Sequence, residues 1–279
     1  MVKVYLTNGF GNNLFQWCAA KLLAEVHDQE LVVVPPYTGY YATQDLEAVG
    51  VDFSEPENIF KYQETILVNE QNYKSCFHPD LHNVNFTVRG YFEDYTFFEA
   101  PRRVIKKWFP VVEKSNTEDL VIHLRAGDRL FYKNEFDSKP SANNYLAAIE
   151  KFEFDKLHIV TDMPSWEHLE PEELGQMKFH FNVPADQRVP NQLAADYFNS
   201  LVDGFSKHSP IVTQRSIVDD FNFIRSFDKI LFQHGTMGWW AAYLSNASEV
   251  GVYGPWRPWK GASNKNLSKI PLPGWFQWE

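Results

Sequence analysis

The stretch Val121-Ile122-His123-Leu124-Arg125-Ala126-Gly127-Asp128 decides the fold. Its apolar first half reads as a buried strand, and Arg125 to Asp128 read as the loop in which that strand ends. Open α/β sheets hold ligands just outside the carboxyl ends of their strands, so a strand opening into such a loop is a ligand-binding geometry. Arg125 suits a phosphate there, because its planar guanidinium stays charged and can donate two parallel hydrogen bonds. Alone, the segment is equally a strand that ends in a solvated turn carrying a surface Arg.

Two further segments have the same build. At the N-terminus a strand, Val2–Leu6, precedes Gly9-Phe10-Gly11-Asn12-Asn13, and a helix over Leu14–Val26 follows. Leu14, Cys18 and Leu22, with Phe15, Ala19 and Val26, fall on one helical face. Glycines let backbone N–H groups approach a ligand closely, and a helix N-terminus favours an anion. The spacing is not the dinucleotide fingerprint, and no acidic ribose partner follows it. Near the C-terminus, Lys229–Phe232 is a buried-type strand, Gln233-His234-Gly235-Thr236 a turn, and the run to Asn246 a helix. Thr236 is placed either to cap that helix or to offer its hydroxyl to a phosphate. Of the adjacent Trp239 and Trp240, at least one belongs to the core.

Strands and helices continue to alternate between these segments. A strand is expected near Phe86–Gly90 and a basic helix over Pro101–Phe109. Beyond a polar boundary at 111–119 come a strand at Leu120–Leu124 and a helix at Ala142–Phe152 capped by Ser141. A strand at Lys156–Thr161, a mixed segment, a helix at Ile217–Phe227 and a final strand at Glu249–Tyr253 complete the series. Such alternation predicts an α/β protein of parallel sheets covered on both faces. The expected domains are 1–115, carrying the glycine-rich loop, and 116–279, carrying the nucleotide site and an aromatic tail. That tail, with Trp256, Trp259, Trp275 and Trp278, should pack back on the body.

Taken in order, these segments resemble the α-1,2-fucosyltransferases of glycosyltransferase family 11 and, more distantly, the α-1,6- and protein O-fucosyltransferases. The family's opening Gly-Gly-x-Gly-Asn-Gln-Leu-Phe-Gln is similar to Gly9 through Gln16, and its His-x-Arg-Arg-Gly-Asp-Tyr to His123 through Arg129. Its Phe-Ser-Asp-Asp followed by Trp is similar to Val160-Thr161-Asp162-Met163 with Trp166. Its Ser-Asn-Ser-Thr-Phe-Ser-Trp-Trp-Ala-Ala-Trp-Leu is similar to Gln233 through Leu244, preceded by ungapped spacing from Asp220. Gly90-Tyr91-Phe92-Glu93 is similar to the family's Gly-Tyr-Phe-Gln. The departures are Ala126 for the second Arg, Arg129 for Tyr, Met163 for the second Asp, and His234-Gly235 for Asn-Ser.

The resemblance implies a GT-B fold, two Rossmann-like α/β domains with the donor site in the cleft between them. It implies an inverting, metal-independent transferase that moves fucose from GDP-fucose to a sugar hydroxyl. Arg125 would meet the charge on the departing β-phosphate, with Thr236 and helix-start N–H groups beside it. His123 would contact the ribose or base side, Asp162 the guanine donor edge, and Gly9, Gly11 and Asn12 the sugar diphosphate. His234 and Gly235 belong to the same donor-binding turn. Asp128 and Glu135 are the candidate bases. The alternatives are a transferase for another GDP-linked sugar and a catalytically decayed nucleotide- or glycan-binding protein.

Composition agrees with that class. The chain has 279 residues, 44% of them hydrophobic, enough for two modest α/β domains. A net charge of −10 argues against nucleic acid or an anionic membrane as partner. No run of about 20 apolar residues offers a membrane span, and Met1–Tyr5 leads straight into the first strand without a signal peptide, so a cytoplasmic location is expected. The two cysteines, Cys18 and Cys76, make no disulfide framework. No Asp-x-Asp occurs, so a metal-held diphosphate is not expected. In His78-Pro79-Asp80-Leu81-His82, Pro79 works against a helical metal-binding pair. The resemblance implies a nucleotide sugar and a glycan acceptor as partners, with no cofactor.

Overall fold

The computed structural model describes residues 1–7, 9–35, 43–54, 65–136, 139–233, 235–253 and 271–278, without the side chains of residues 134, 135 and 179. The chain divides into two compact units, Met1–Val111 and Val112–Glu279. Each is an α/β unit on a parallel sheet.

The first unit carries strands β1 (Val2–Tyr5), β2 (Leu31–Val34), β3 (Ile66–Val68) and β4 (Phe86–Val88), in the order β2-β1-β4-β3. All three pairings are parallel. The helix that joins β1 to β2 begins at Phe10, not at Leu14 as expected, and ends at Val26. Gly11 and Asn12 are thus first-turn helical residues rather than loop. The cause is a side-chain clamp: Asn13 and Gln16 reach back to accept from the amide of Thr7, at 3.1 Å each, and draw the helix start up to the strand end.

This helix is not amphipathic as its spacing predicts. It is buried nearly all round, and of the expected face Val26 alone is open to solvent, at 56%. The sheet covers one side, and aromatic side chains between Tyr73 and Phe109 cover the other. Trp17 meets Trp108 and Phe109 edge-on at 5.7 and 5.6 Å, Phe15 packs on Phe98, and the Tyr73 hydroxyl donates to the Ala19 carbonyl at 2.8 Å. The basic helix is shorter than predicted. Arg102–Ile105 is helical and Lys106–Trp108 tightens into a 3-10 turn.

The second unit carries β5 (Asn116–Leu124), β6 (Leu157–Thr161), β7 (Ile211–Thr213), β8 (Phe227–Phe232), β9 (Glu249–Tyr253) and β10 (Phe276–Trp278). Their spatial order, β10-β9-β8-β5-β6-β7, is the doubly wound order 3-2-1-4-5-6 read from the other edge, and every pairing is parallel. β5 starts at Asn116, before the predicted Leu120, because Asn116 pairs with Phe227 across a register shift.

The pleat of β5 sorts its residues. Leu120, Ile122 and Leu124 join one core cluster with Tyr145 and Ala148 of the helix Ala142–Ile149 and with Phe198, Leu201 and Phe205 of the helix Asn191–Ser206. Val121 and His123 therefore face the other way, where His123 meets Gly238 of the helix Thr236–Leu244. Helices cover both faces, as a parallel sheet requires. Ser141 caps its helix as predicted, accepting from Asn144 N at 3.2 Å.

Sequence reading left Asn191–Ser206 inside a mixed segment, although its buried Ala194, Phe198, Leu201 and Phe205 keep helical spacing. The tail packs back where it is described. Phe276–Trp278 adds a strand beside β9, Trp278 is 3% exposed, and Trp275 lies against Phe232 and Trp239. Trp256 and Trp259 lie outside the described residues. Both Trp239 and Trp240 are buried. Among the described residues no helix is long and apolar enough to cross a membrane.

Candidate functional site

The connection leaving β5 leads to β6 on one side, while β8 lies on the other. The carboxyl ends of β5 and β8 thus flank the switch point of the second sheet, the crevice where doubly wound folds take ligands. Arg125 follows β5 directly. Gln233 follows β8, then Gly235 and Thr236 open a nine-residue helix whose N–H groups face the same sheet edge. Gly235 holds the N-cap position and Thr236 the first helical position, so Thr236 is not the cap. Its side chain is half-buried. His234 lies outside the described residues. Glu135 falls in the short helix Lys133–Phe136 and its side chain is likewise outside them.

Arg125 is 31% exposed, with Nη2 3.5 Å from Asp128 Oδ1, whose side chain is 27% exposed. A long, wet pair of this kind adds little stability. It does hold a cation and a carboxylate side by side at the strand end.

Asp162, just beyond β6, has a different neighbourhood from the one expected. Its Oδ1 accepts from the amides of Ala126 and Gly127, both at 2.8 Å. Its Oδ2 lies where a Cβ on Gly127 would come within 2.4 Å. Oδ1 is thus committed to the loop after β5, and Oδ2 lies beside Gly127. Part of the residue reaches solvent while the carboxyl group itself is enclosed. Burial raises the carboxyl pKa, and the Arg125 charge and the two amides work against that rise. Ala126 and Met163, two of the family departures, are core residues at 3% and 2% exposure.

His123 is 6% exposed. Burial first, and the Arg125 charge second, push its pKa down from 6.5 to about 3, so the ring is neutral at physiological pH. Its Nδ1 finds no hydrogen-bond partner among the described residues. The ring lies against the backbone of Gly235 and Gly238, and a Cβ at either would stand 3.4 or 2.6 Å from it. The Gly-x-x-Gly spacing of the helix start is a seat for His123.

Sequence reasoning missed Gln233 and Tyr145 at this edge, and the buried Asp220 beyond β7. Gln233 donates from Nε2 to the Arg125 carbonyl at 2.5 Å and accepts from the Tyr145 hydroxyl. Asp220, after β7, is 7% exposed, accepts from the Arg215 amide at 3.4 Å, and has its carboxyl pKa raised by burial. The only hint of Asp220 was the ungapped spacing from it to Phe232. Nothing local marked Tyr145.

In the first unit the switch point lies between the ends of β1 and β4. Gln16 closes it. Its Nε2 donates to Thr7 Oγ1 and to the Gly90 carbonyl, both at 2.9 Å. Gly90 in turn sits against the Glu70 carboxylate, which accepts from the amides of Tyr91 and Phe92. Gly9 is the half-buried N-cap residue, Gly11 is buried, and Asn12 is half-buried in the first turn. Asn13 and Gln16 are therefore structural; Asn12 remains available to a ligand.

His78 Nδ1 accepts from the Asp80 amide at 3.3 Å, and His82 Nδ1 lies 3.2 Å from the Pro79 carbonyl. Both serve a local turn. Among the described residues no three His, Cys, Asp or Glu side chains gather as a metal site. Cys18 and Cys76 are buried free thiols with pKa values raised by that burial. No protein-family model matches the chain, and no curated protein matches it either.

Proposed function

We propose that this protein is an inverting, metal-independent glycosyltransferase that moves fucose from GDP-fucose to a sugar hydroxyl, in the manner of an α-1,2-fucosyltransferase. The observation that supports the reading is the placement of Arg125 directly after β5 and of the Gly235-Thr236 helix start after β8, the two strands that flank the switch point. In this reading the fold is that of a GT-B enzyme, with the first unit as its acceptor half.

As the bond between the anomeric carbon and the β-phosphate oxygen breaks, negative charge grows on the leaving GDP. Arg125 and the helix-start N–H groups stabilise that charge, more in the transition state than in the bound donor. The acceptor hydroxyl attacks the opposite face of the anomeric carbon, which inverts it, and passes its proton to a base. Asp128, 3.5 Å from Arg125, is the candidate among the described side chains. Neutral His123 takes the nucleoside side, and Asp162 shapes the loop.

The test is calorimetry with GDP, with and without chelator, followed by donor hydrolysis over a panel of GDP- and UDP-sugars. Binding of GDP in chelator and turnover of GDP-fucose are expected. Turnover of another GDP-sugar would change the donor. Binding without any turnover would leave a nucleotide-binding protein.

A further inference from the structure

We infer that Gln233, held by Tyr145, is a positioning residue for Arg125; this rests on the reading of Arg125 as the phosphate-binding group. The hydrogen-bond roles are forced. The Arg125 carbonyl can only accept, so Gln233 must turn its Nε2 toward it. Gln233 Oε1 then faces the Tyr145 hydroxyl, which must donate. Tyr145 is fully buried and Gln233 is 8% exposed, so water does not compete for these bonds.

With Asp162 on the other side, two successive peptide groups are tied down, the first of them at both its carbonyl and its amide. The carbonyl of Arg125 is held from β8, and the amides of Ala126 and Gly127 from β6. The strand-end loop is thereby fixed to both strands that flank β5. That fixes the direction in which the Arg125 side chain leaves the backbone. Gln233 acts through Arg125 and needs no contact with substrate.

Three variants separate this role from packing. Gln233→Leu keeps the volume and removes the donor. Tyr145→Phe removes one hydroxyl. Gln233→Glu keeps the shape and makes it titrate: the neutral carboxyl still donates to the Arg125 carbonyl, while the ionised form donates nothing and repels it. Each is measured by steady-state turnover of GDP-fucose and by amide hydrogen exchange over residues 122–130.

Gln233→Leu should lower kcat on the order of a hundredfold, as for a reacting group displaced by about 1 Å, with the donor KM within about threefold of the parent. Exchange at Ala126 and Gly127 should quicken, with Tyr145→Phe intermediate. For Gln233→Glu, turnover relative to the parent should rise as the pH falls from about 8 to about 6. Parental kcat and parental exchange in Gln233→Leu, or a parental pH profile in Gln233→Glu, would overturn the inference. If the parent turns over no donor, the proposed function falls, and exchange at Ala126 and Gly127 alone decides the role of Gln233. If Gln233→Leu does not fold, the other two variants carry the same measurements.

Discussion

The backbone of Gly238 lies against the His123 imidazole so closely that a Cβ there would stand 2.6 Å from Nδ1 and 3.3 Å from Phe232 Cβ. A glycine inside a helix ordinarily costs up to about 1 kcal/mol relative to alanine. Here the packing reverses the sign. Gly238→Ala should destabilise the second unit by about 1–3 kcal/mol, the usual cost of forcing an extra group into a filled space. Thermal unfolding checks it, and a raised melting temperature would mean that the seat is loose.

His123 gives the protein an acid limb. Its folded pKa lies at about 3 against an ordinary 6.5, so between those values the unfolded chain binds a proton that the folded chain refuses. Stability therefore rises with pH across that window, with a contribution approaching about 1.4 kcal/mol per pH unit. Asp162 and Asp220 act in the opposite sense, because a carboxyl pKa raised in the fold makes stability fall as the pH rises through it. Denaturant melts of the parent and His123→Leu, compared from about pH 4 to 7, should diverge in slope, the variant being flatter. Parallel curves would show that His123 protonates freely in the folded state.

Asp162 separates two roles by a single atom. If it braces the loop, Asp162→Asn keeps an oxygen for the amides of Ala126 and Gly127 and holds GDP affinity within about threefold. Asp162→Ala, by contrast, leaves two amides without a partner at about 1–3 kcal/mol each. A guanine partner behaves differently: Asp162→Asn would then lose the preference for GDP over ADP while the fold stays intact. Calorimetry with both nucleotides on both variants decides between them.

Gln16 is the corresponding fastener of the first unit. It accepts from Thr7 N and donates to Thr7 Oγ1 and the Gly90 carbonyl at 4% exposure. Gln16→Ala should cost about 2–4 kcal/mol, combining unpaired buried groups with a cavity. Urea titration checks it, and a loss below about 0.5 kcal/mol would mean that water replaces the amide.

The elements that could be read in the sequence are those whose signal is local. Val121–Leu124 and Lys229–Phe232 are apolar runs ended by turn residues, and Ser141 sits ahead of an apolar-periodic stretch. The strand ends marked Arg125, Asp162 and Thr236 correctly as residues of one sheet edge. The partners of those residues were not legible. Tyr145 and Gln233 are 88 residues apart and Gln233 and Arg125 are 108 apart, and only the crossing of parallel strands brings them together. Likewise Asp162 looked like a free carboxylate because the amides it accepts belong to another strand's loop. The early start of the helix at Phe10 has a nearer cause, the binding of Asn13 and Gln16 backward to Thr7, which the spacing of apolar residues does not report.

Arg125→Lys tests the centre of the functional reading. Lys keeps the charge but offers a compact point donor, so it cannot hold two phosphate oxygens at once. Arg125 is 31% exposed and its pair with Asp128 is 3.5 Å long, so that pair adds little to the fold. The melting temperature should move by less than about 3 °C. Turnover is another matter, because the phosphate gains charge as the glycosidic bond breaks, and the lost contact is therefore felt in the transition state. We expect kcat to drop on the order of a hundredfold or more, as for loss of one oxyanion donor, with a smaller change in GDP affinity. If the variant turns over GDP-fucose at the parental rate, Arg125 is not the group that stabilises the leaving phosphate. If it unfolds instead, the strand end is held by the guanidinium rather than by Asp162 and Gln233.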